Sequence, residues 1–232
     1  MRLTRILALG LVALVSLGAG KPAPKSAQAP ARGNWIATVV STPGGGHRMG
    51  NPAAPVQLVE YVSYTCSHCA EFDVEAKGEL AVGLVKPGKG SIEYRPFFRN
   101  IIDVTSTLLV NCGPPTKFQG NHSVVLSAQK KWLVDPSEAQ QKRWTTGDFG
   151  TRMRAIAGDM KLYPLFEARG YRRVELDRCL ADKALAQQIA DENKHASEVI
   201  GITGTPSFLL NGTLQHVHGW AELRPLLMAV TR

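Results

Sequence analysis

Two cysteines separated by two residues are the feature of this 232-residue sequence that could most directly carry chemistry. They form the run Cys66-Ser67-His68-Cys69, directly after a β-branched and aromatic stretch at residues 56–61. Apolar residues after the motif recur at helical spacing, so the pair is predicted to begin a helix that follows a buried strand. Residues three apart share a helix face and lie close enough for a disulfide. The spacing therefore predicts a redox-active dithiol.

The two cysteines of this motif are predicted to have different roles. Cys66 would stand at the helix N-terminus, where unpaired N–H groups and the helix dipole favour a negative charge. That position lowers the pKa of a thiol, and the thiolate is the attacking species, so Cys66 is predicted to be the nucleophile. Cys69, one turn further on, would be more buried and act as the resolving or leaving thiol. The imidazole of His68 would favour the thiolate, which makes the protein a stronger oxidant.

Two other interpretations of the motif are weaker. A lone CxxC can be half of a zinc site, but zinc needs about four ligands and the sequence has no second CxxC or CxxH. An inert structural disulfide is unfavoured at a strand-to-helix junction. His216-Val217-His218 would place two imidazoles on one strand face, although strand histidines without a metal are far commoner. We expect neither a metal nor a cofactor.

The N-terminus indicates export. A short basic segment is followed by an uncharged apolar run at residues 6–17 and then by small residues, the pattern of a secretory signal. We predict a signal peptide at residues 1–20, with cleavage as late as residue 29, and a flexible leader at 21–33 that is rich in Pro and Ala. Outside the cytosol paired cysteines become disulfides, and the four cysteines leave Cys112 and Cys179 as a second, distant pair.

The net charge excludes little. The formal charge is +8, but the basic residues are spread along the chain without an aromatic-interleaved cluster. We therefore expect no nucleic-acid partner.

The elements that must position the motif form an α/β scaffold. Strands are predicted at 34–40, 56–61 and 91–98, the last two flanking the motif helix as a parallel βαβ unit. Residues 100–200 are punctuated helical stretches, the clearest at 117–133, 136–144, 151–160 and 183–200. Asn211-Gly212 predicts a hairpin between strands at 207–210 and 214–218, and a final helix at 220–230 follows. The predicted domains are 34–99 with 202–232, and an inserted helical subdomain at 100–201.

A second motif, Gly204-Thr205-Pro206-Ser207-Phe208, leads into the hairpin. Together with the strand and helix start at residues 59–69, and with the helical insertion between them, it resembles the DsbA family of periplasmic thiol-disulfide oxidoreductases. The resemblance runs from about Asn34 to Arg232 and implies a thioredoxin-like fold with a large helical insertion between the βαβ and ββα halves.

The resemblance also assigns roles to particular residues. It implies a cis Thr205-Pro206 bond that packs against the active disulfide and presents backbone groups to an extended substrate. It implies that Glu60 is a buried acid assisting proton transfer near Cys69, whereas from its residue type alone Glu60 could be a surface charge on an edge strand. Some relatives have a second disulfide in the helical domain, which Cys112 and Cys179 would match, as a staple or as a redox relay.

One departure concerns the residues between the cysteines. Relatives commonly have Pro-His there, whereas this chain has Ser67-His68. Serine removes a ring constraint and leaves the redox potential unpredicted.

The predicted function is oxidation of dithiols in exported polypeptides through a mixed disulfide on Cys66. The implied partners are reduced or unfolded exported polypeptides and a membrane reoxidase, with a periplasmic location. The alternatives are an isomerase or reductase on the same scaffold, and a secreted metal-binding module. Isomerases of this class generally have a dimerisation region, and the short leader of this chain could not build one, so we expect a monomer.

Overall fold

The structure of the chain is a computed structural model that describes residues 33–231. The predicted signal peptide and all but the last residue of the predicted leader lie outside the described residues. Within residues 33–231, no helix is both long enough and apolar enough to cross a membrane.

The sheet has six strands in the order β1-β2-β4-β3-β5-β6. Its centre is β3, which pairs parallel with β4 and antiparallel with β5. A central strand is mostly apolar, and β3 contains Val56, Leu58, Tyr61 and Val62, each at most 1% exposed. The strands are β1 Val39–Ser41, β2 His47–Gly50, β3 Val56–Val62, β4 Gly90–Pro96, β5 Ser207–Leu210 and β6 Thr213–Gln215.

Two of the helices that pack against the sheet come from the βαβ and ββα halves. Helix α1 (Ser67–Glu79) follows β3 and continues as a π-helical segment, Leu80–Val85, before β4. Helix α10 (Trp220–Val230) follows β6, and the ring of Trp220 lies edge-on to Phe72 of α1. Phe72 in turn packs on Phe208 of β5, with ring centroids 4.7 Å apart, so α1 is held between the sheet and α10. This mixed α/β sheet confirms the predicted fold class.

The remaining helices follow β4 and precede β5 along the chain. Their core is the apolar helix α2, whose Leu108, Leu109 and Val110 are at most 1% exposed. Asn100 caps this helix by accepting hydrogen bonds from the backbone N–H groups of Ile102 and Asp103. The helices are α2 Ile101–Val110, α3 Phe118–Ser127, α4 Gln129–Trp132, α5 Glu138–Trp144, α6 Phe149–Asp159, α7 Tyr163–Glu167, α8 Arg173–Leu180 and α9 Lys183–His195, with a 3-10 turn at Pro115–Lys117 and a π-helical segment at Ala196–Ile200.

The sheet differs from the sequence prediction at its first edge. The predicted strand at 34–40 is wrong at residues 34–38, because Ala37 and Thr38 donate backbone hydrogen bonds to Asn34 and Trp35 and close a turn before β1 begins. The side chain of Trp35 is buried there, which explains the apolar signal without a strand. Strand β2 was not predicted at all; it is short and joins β1 to β4.

The hairpin strand is also shorter than predicted. Strand β6 ends at Gln215, so the predicted strand face formed by His216 and His218 is wrong. Both side chains are exposed, whereas Val217 between them packs against the core.

Candidate active site

The reactive pair lies where β3 passes into α1. Cys66 is the N-cap residue, with extended backbone angles, and Cys69 lies in the first turn. Both are free thiols in the structure, and both are buried, at 4% and 0% exposure. The Cys66 carbonyl accepts the first helical hydrogen bond, from the backbone N–H of Ala70. The thiol of Cys66 therefore stands among the unpaired N–H groups of a helix start.

The surroundings of Cys66 favour its thiolate. A hydrogen bond between the thiols of Cys69 and Cys66 is the largest cause that lowers the pKa of Cys66, to about 4. Thr205 and the backbone N–H groups of Cys69 and His68 lower it further, against the opposing effect of burial. Because hydrogen-bond donors converge on this sulfur, Cys66 is ionised at neutral pH.

Cys69 has the opposite environment. Burial raises the pKa of its thiol, and the hydrogen bond to Cys66 and the nearby carboxyl of Glu60 raise it further. This thiol therefore keeps its proton at neutral pH while Cys66 is ionised. The arrangement places an ionised sulfur and a protonated thiol within one helical turn.

Glu60 lies in the middle of the sheet. It belongs to β3, where Tyr94 of β4 and Phe208 of β5 are its register partners, and it is 2% exposed. The alternative that Glu60 is a surface charge on an edge strand is therefore wrong. Burial raises the pKa of its carboxyl, and the charges of Asp73 and Cys66 raise it further. Its Oε1 has no hydrogen-bond partner among residues 33–231, so no donor there favours the charged form.

The Thr205-Pro206 loop faces Cys66. Its peptide bond is cis, and the thiol of Cys66 donates to the carbonyl oxygen of Thr205, with Sγ and O 3.1 Å apart. The Ser207 hydroxyl donates to the carbonyl of Gly204, 2.8 Å away, and closes the loop from within. The two motifs that the sequence separates by more than a hundred residues are thus in contact.

The residues between the cysteines point outwards. Ser67 and His68 are both exposed, and the His68 side chain makes no hydrogen bond with any described residue. Its backbone N–H is the part of His68 that lowers the pKa of Cys66. A role for the imidazole in stabilising the thiolate stays a prediction.

A buried carboxylate that the sequence analysis missed organises the turn before Cys66. Asp103, in the first turn of α2, accepts hydrogen bonds from the Ser63 hydroxyl (2.9 Å) and from the backbone N–H groups of Thr65 (2.9 Å) and Arg99 (2.9 Å). It is 1% exposed, so these bonds replace water entirely. They join the end of β3 to the inserted helices.

Gln129, also missed, makes the second such link. Its side-chain amide donates to the carbonyls of Tyr64 (2.8 Å) and Cys66 (2.9 Å) and is buried. Neither Gln129 nor Asp103 lies in a recognisable motif. The only sequence signal was the N-cap residue Asn100, three residues before Asp103, and it indicates a helix start and not a site.

The second cysteine pair is bonded. Cys112, just after α2, and Cys179, in α8, form a disulfide that closes 67 residues, with their Cα atoms 5.6 Å apart. It lies in the helical insertion, away from the Cys66 helix start. Residues 33–231 contain no cluster of three or more His, Cys, Asp or Glu side chains placed to hold an ion.

Comparison with known proteins identifies the family and the fold. The family model described as Thioredoxin matches residues 42–229. The crystal structure of a protein-disulfide isomerase from Novosphingobium aromaticivorans is 46% identical and superposes with a TM-score of 0.77, over 81% of this chain and 98% of that one. Wolbachia pipientis alpha-DsbA1 shares the fold at 17% identity, with a TM-score of 0.65 over 79% and 89% of the two chains.

Curated relatives are more distant. A Rickettsia bellii protein whose name places it among the protein-disulfide oxidoreductases is 26% identical over 71% of this chain and 56% of its own length. The chain thus spans about half the length of the curated relatives it matches. The DsbA resemblance predicted from the two motifs is confirmed, and the chain belongs to the thioredoxin family.

Proposed function

We propose that this protein is a dithiol-disulfide oxidoreductase that oxidises exported polypeptides, with Cys66 as its nucleophile. One observation carries the proposal: the Cys66 sulfur stands at a helix N-terminus with its pKa lowered to about 4 and lies 3.1 Å from the carbonyl of Thr205. A stable thiolate makes the reduced state favourable, which makes the disulfide a strong oxidant.

The first step forms a mixed disulfide. A substrate thiolate attacks Cys66 Sγ of the oxidised enzyme, the Cys66–Cys69 bond breaks, and the sulfur of Cys69 leaves with the electron pair. Cys69 is the more buried of the two, so attack is directed to Cys66. The raised pKa of Cys69 means that its sulfur takes up a proton, which the protonated carboxyl of Glu60 supplies.

The second step releases the product. A second substrate thiolate attacks the substrate sulfur of the mixed disulfide, and Cys66 leaves as a thiolate that its hydrogen-bond donors stabilise. The substrate has then lost two electrons and gained a disulfide, and the enzyme holds them as a dithiol. We propose that a membrane reoxidase accepts these electrons and restores the Cys66–Cys69 disulfide.

Backbone groups beside Cys66 would hold the substrate. The Thr205 carbonyl accepts a hydrogen bond from Cys66 only while the Cys66 thiol carries its proton. When Cys66 is a thiolate or is part of the disulfide, this oxygen is free to accept a hydrogen bond from a peptide N–H. The backbone N–H of Thr205 makes no hydrogen bond within residues 33–231. One free donor and one free acceptor on a single residue suit an extended peptide.

A periplasmic location and a monomeric state belong to the same proposal. Support for the location is the predicted signal peptide together with the disulfide in the helical insertion, a bond that persists in oxidising compartments. Sedimentation of the purified protein tests the monomer, and fractionation of cells that express the full chain tests the location.

The equilibrium of the Cys66–Cys69 couple with glutathione tests the oxidase. We expect reduced glutathione to reduce the Cys66–Cys69 disulfide readily, so that the enzyme dithiol predominates at equilibrium. The oxidised enzyme should in turn oxidise reduced test proteins stoichiometrically. A couple as reducing as that of thioredoxin, about −270 mV, would contradict the proposal.

An isomerase is the second candidate, favoured by the name of the Novosphingobium protein at 46% identity. Refolding of a scrambled test protein separates the two activities. A stable dimer that reshuffles disulfides faster than a simple dithiol reagent would replace the oxidase by the isomerase.

A further inference from the structure

His218 contacts the loop that faces the nucleophile. Its ring nitrogen Nδ1 lies 3.0 Å from the carbonyl oxygen of Pro206, to which it donates in the Nδ1–H tautomer. The residue comes from the segment between β6 and α10. It thus approaches the loop from outside.

The backbone of His218 is fixed, although its side chain is exposed. Its N–H donates to Oε2 of Glu222 in the first turn of α10, 3.1 Å away, and the next residue, Gly219, is the N-cap of that helix. On the other side Val217 packs against the core. Because Val217 points inwards and the backbone is tied to α10, the imidazole is directed to the loop and not left free in solvent.

The contact is one residue away from the nucleophile. Thr205, whose carbonyl oxygen is 3.1 Å from Cys66 Sγ, precedes Pro206 directly, and Ser207 after it enters the ladder opposite Tyr61 of β3. Proline has no N–H to give, so the Pro206 carbonyl is the one backbone hydrogen-bonding group at that position. With its carbonyl bonded to His218, the peptide unit after Pro206 is held from outside the sheet.

We propose that His218 is a positioning residue that orients the Thr205-Pro206 loop for the backbone of an extended substrate peptide. The inference rests on the proposed oxidoreductase function and deepens it. Without the imidazole the Pro206 carbonyl turns to water, and the Thr205 peptide groups lose their fixed direction. Peptide binding weakens, whereas the intrinsic reactivity of the Cys66 sulfur changes little, because most of its hydrogen-bond donors, the Cys69 thiol and the backbone N–H groups of His68 and Cys69, belong to α1.

The test compares two neighbouring histidines. His216 is exposed like His218, but makes no hydrogen bond within residues 33–231, so His216→Ala is the matched control.

In His218→Ala we expect the KM for a reduced dithiol peptide to rise about 3- to 10-fold, the range that one lost hydrogen bond gives, with kcat little changed. Oxidation of dithiothreitol, which needs no peptide backbone contacts, should proceed at the wild-type rate. His218→Asn, whose amide N–H can occupy the place of Nδ1–H, should restore the peptide KM.

Two outcomes would overturn the proposal: a peptide KM in His218→Ala equal to that of the wild type, or equal losses with peptide and with dithiothreitol, which indicate general destabilisation. A second readout, amide hydrogen exchange at Ser207, needs no substrate. We expect exchange about 3- to 10-fold faster in His218→Ala than in the wild type and His216→Ala, with recovery in His218→Asn. If the wild type oxidises no peptide at all, the proposed function fails, and unchanged exchange at Ser207 would separately refute the role of His218.

Discussion

Cys66 and Cys69 are two residues of one helical turn, whereas Cys112 and Cys179 are 67 residues apart and join two helices of the insertion. Around the first sulfur of the local pair the neighbours are mostly donors: the other thiol and the N–H groups of the helix start. Within residues 33–231 no hydrogen bond is donated to either sulfur of the Cys112–Cys179 pair; the polar group in contact with Cys112 Sγ is the carbonyl oxygen of Glu175, 3.7 Å away.

This difference shows how one fold can give two cysteine pairs different chemistry. Donors stabilise the thiolate that reduction produces, so on our proposal the Cys66–Cys69 bond is easily reduced. Within residues 33–231 no such donors face Cys112 or Cys179, and their bond closes a long loop, so we expect the Cys112–Cys179 bond to resist reduction. We therefore interpret the distant pair as a structural staple.

Substituting the cysteines of each pair in turn tests most directly whether the two pairs have different roles. Cys66→Ser should abolish oxidation of a reduced test protein, a fall of more than about 1,000-fold, because no other sulfur can form the mixed disulfide. The double variant Cys112→Ser/Cys179→Ser should keep wild-type activity at temperatures where it is folded. Turnover is measured with both variants at equal concentration, and loss of activity in the folded double variant would give the second pair a redox role.

The thiolate should make stability depend on pH in one redox state only. The pKa of Cys66 is lowered from about 8.5 in the unfolded chain to about 4 in the fold, so ionisation stabilises the reduced form fully above about pH 8.5. That stability is lost as the pH falls towards and through about 4, and it is on the order of a few kcal/mol.

Denaturant unfolding of the reduced and oxidised proteins at pH 8, 6 and 4 measures this effect. The oxidised protein has the same titrating groups as the reduced protein, apart from the two thiols. In the reduced fold the Cys69 thiol keeps its proton over this range because its pKa is raised. The reduced protein should be the more stable at pH 8, with the difference shrinking towards pH 4. A difference independent of pH would mean that Cys66 is not the group that titrates.

The Cys112–Cys179 disulfide should affect the free energy of unfolding and not the activity. Removing the bond with Cys112→Ser/Cys179→Ser should lower the free energy of unfolding by about 2–4 kcal/mol, because the unfolded chain regains the freedom of a 67-residue loop. Thermal or denaturant unfolding at fixed redox state measures it. Unchanged stability would show that helix packing alone holds this part of the chain.

The smallest effect should come from the buried acid. Glu60→Gln removes the proton donor beside Cys69, and the rate of mixed-disulfide formation should fall about tenfold. Glu71→Gln, at an exposed position of α1, is the control and should leave the rate unchanged. Stopped-flow measurement of the first step distinguishes the two; equal rates would show that water supplies the proton.

The sequence was sufficient where the signal is local. The helix start at Cys66, the Asn211-Gly212 hairpin and the helix Trp220–Val230 all depend on residues within a few positions. Strand β2 was not predicted because its four residues show no alternation of apolar and polar side chains, and its partner β4 lies more than forty positions away. Asp103 and Gln129 could not be found for the same reason, since each reaches Cys66 or its turn only after the insertion has folded back onto the sheet.

The position of β3 also fixes the order in which the working protein can assemble. The βαβ half and the helical insertion can form as the chain emerges, because β4 follows β3 closely. The Thr205 carbonyl, however, is 139 residues beyond Cys66, and β5 completes the sheet only when the C-terminal hairpin arrives. Closing so long a separation is slow and entropically unfavourable. An incomplete chain therefore carries its cysteine pair before it has the Thr205-Pro206 loop that we propose binds substrate, and we expect substrate oxidation to begin only once the segment up to residue 210 has been exported and has folded.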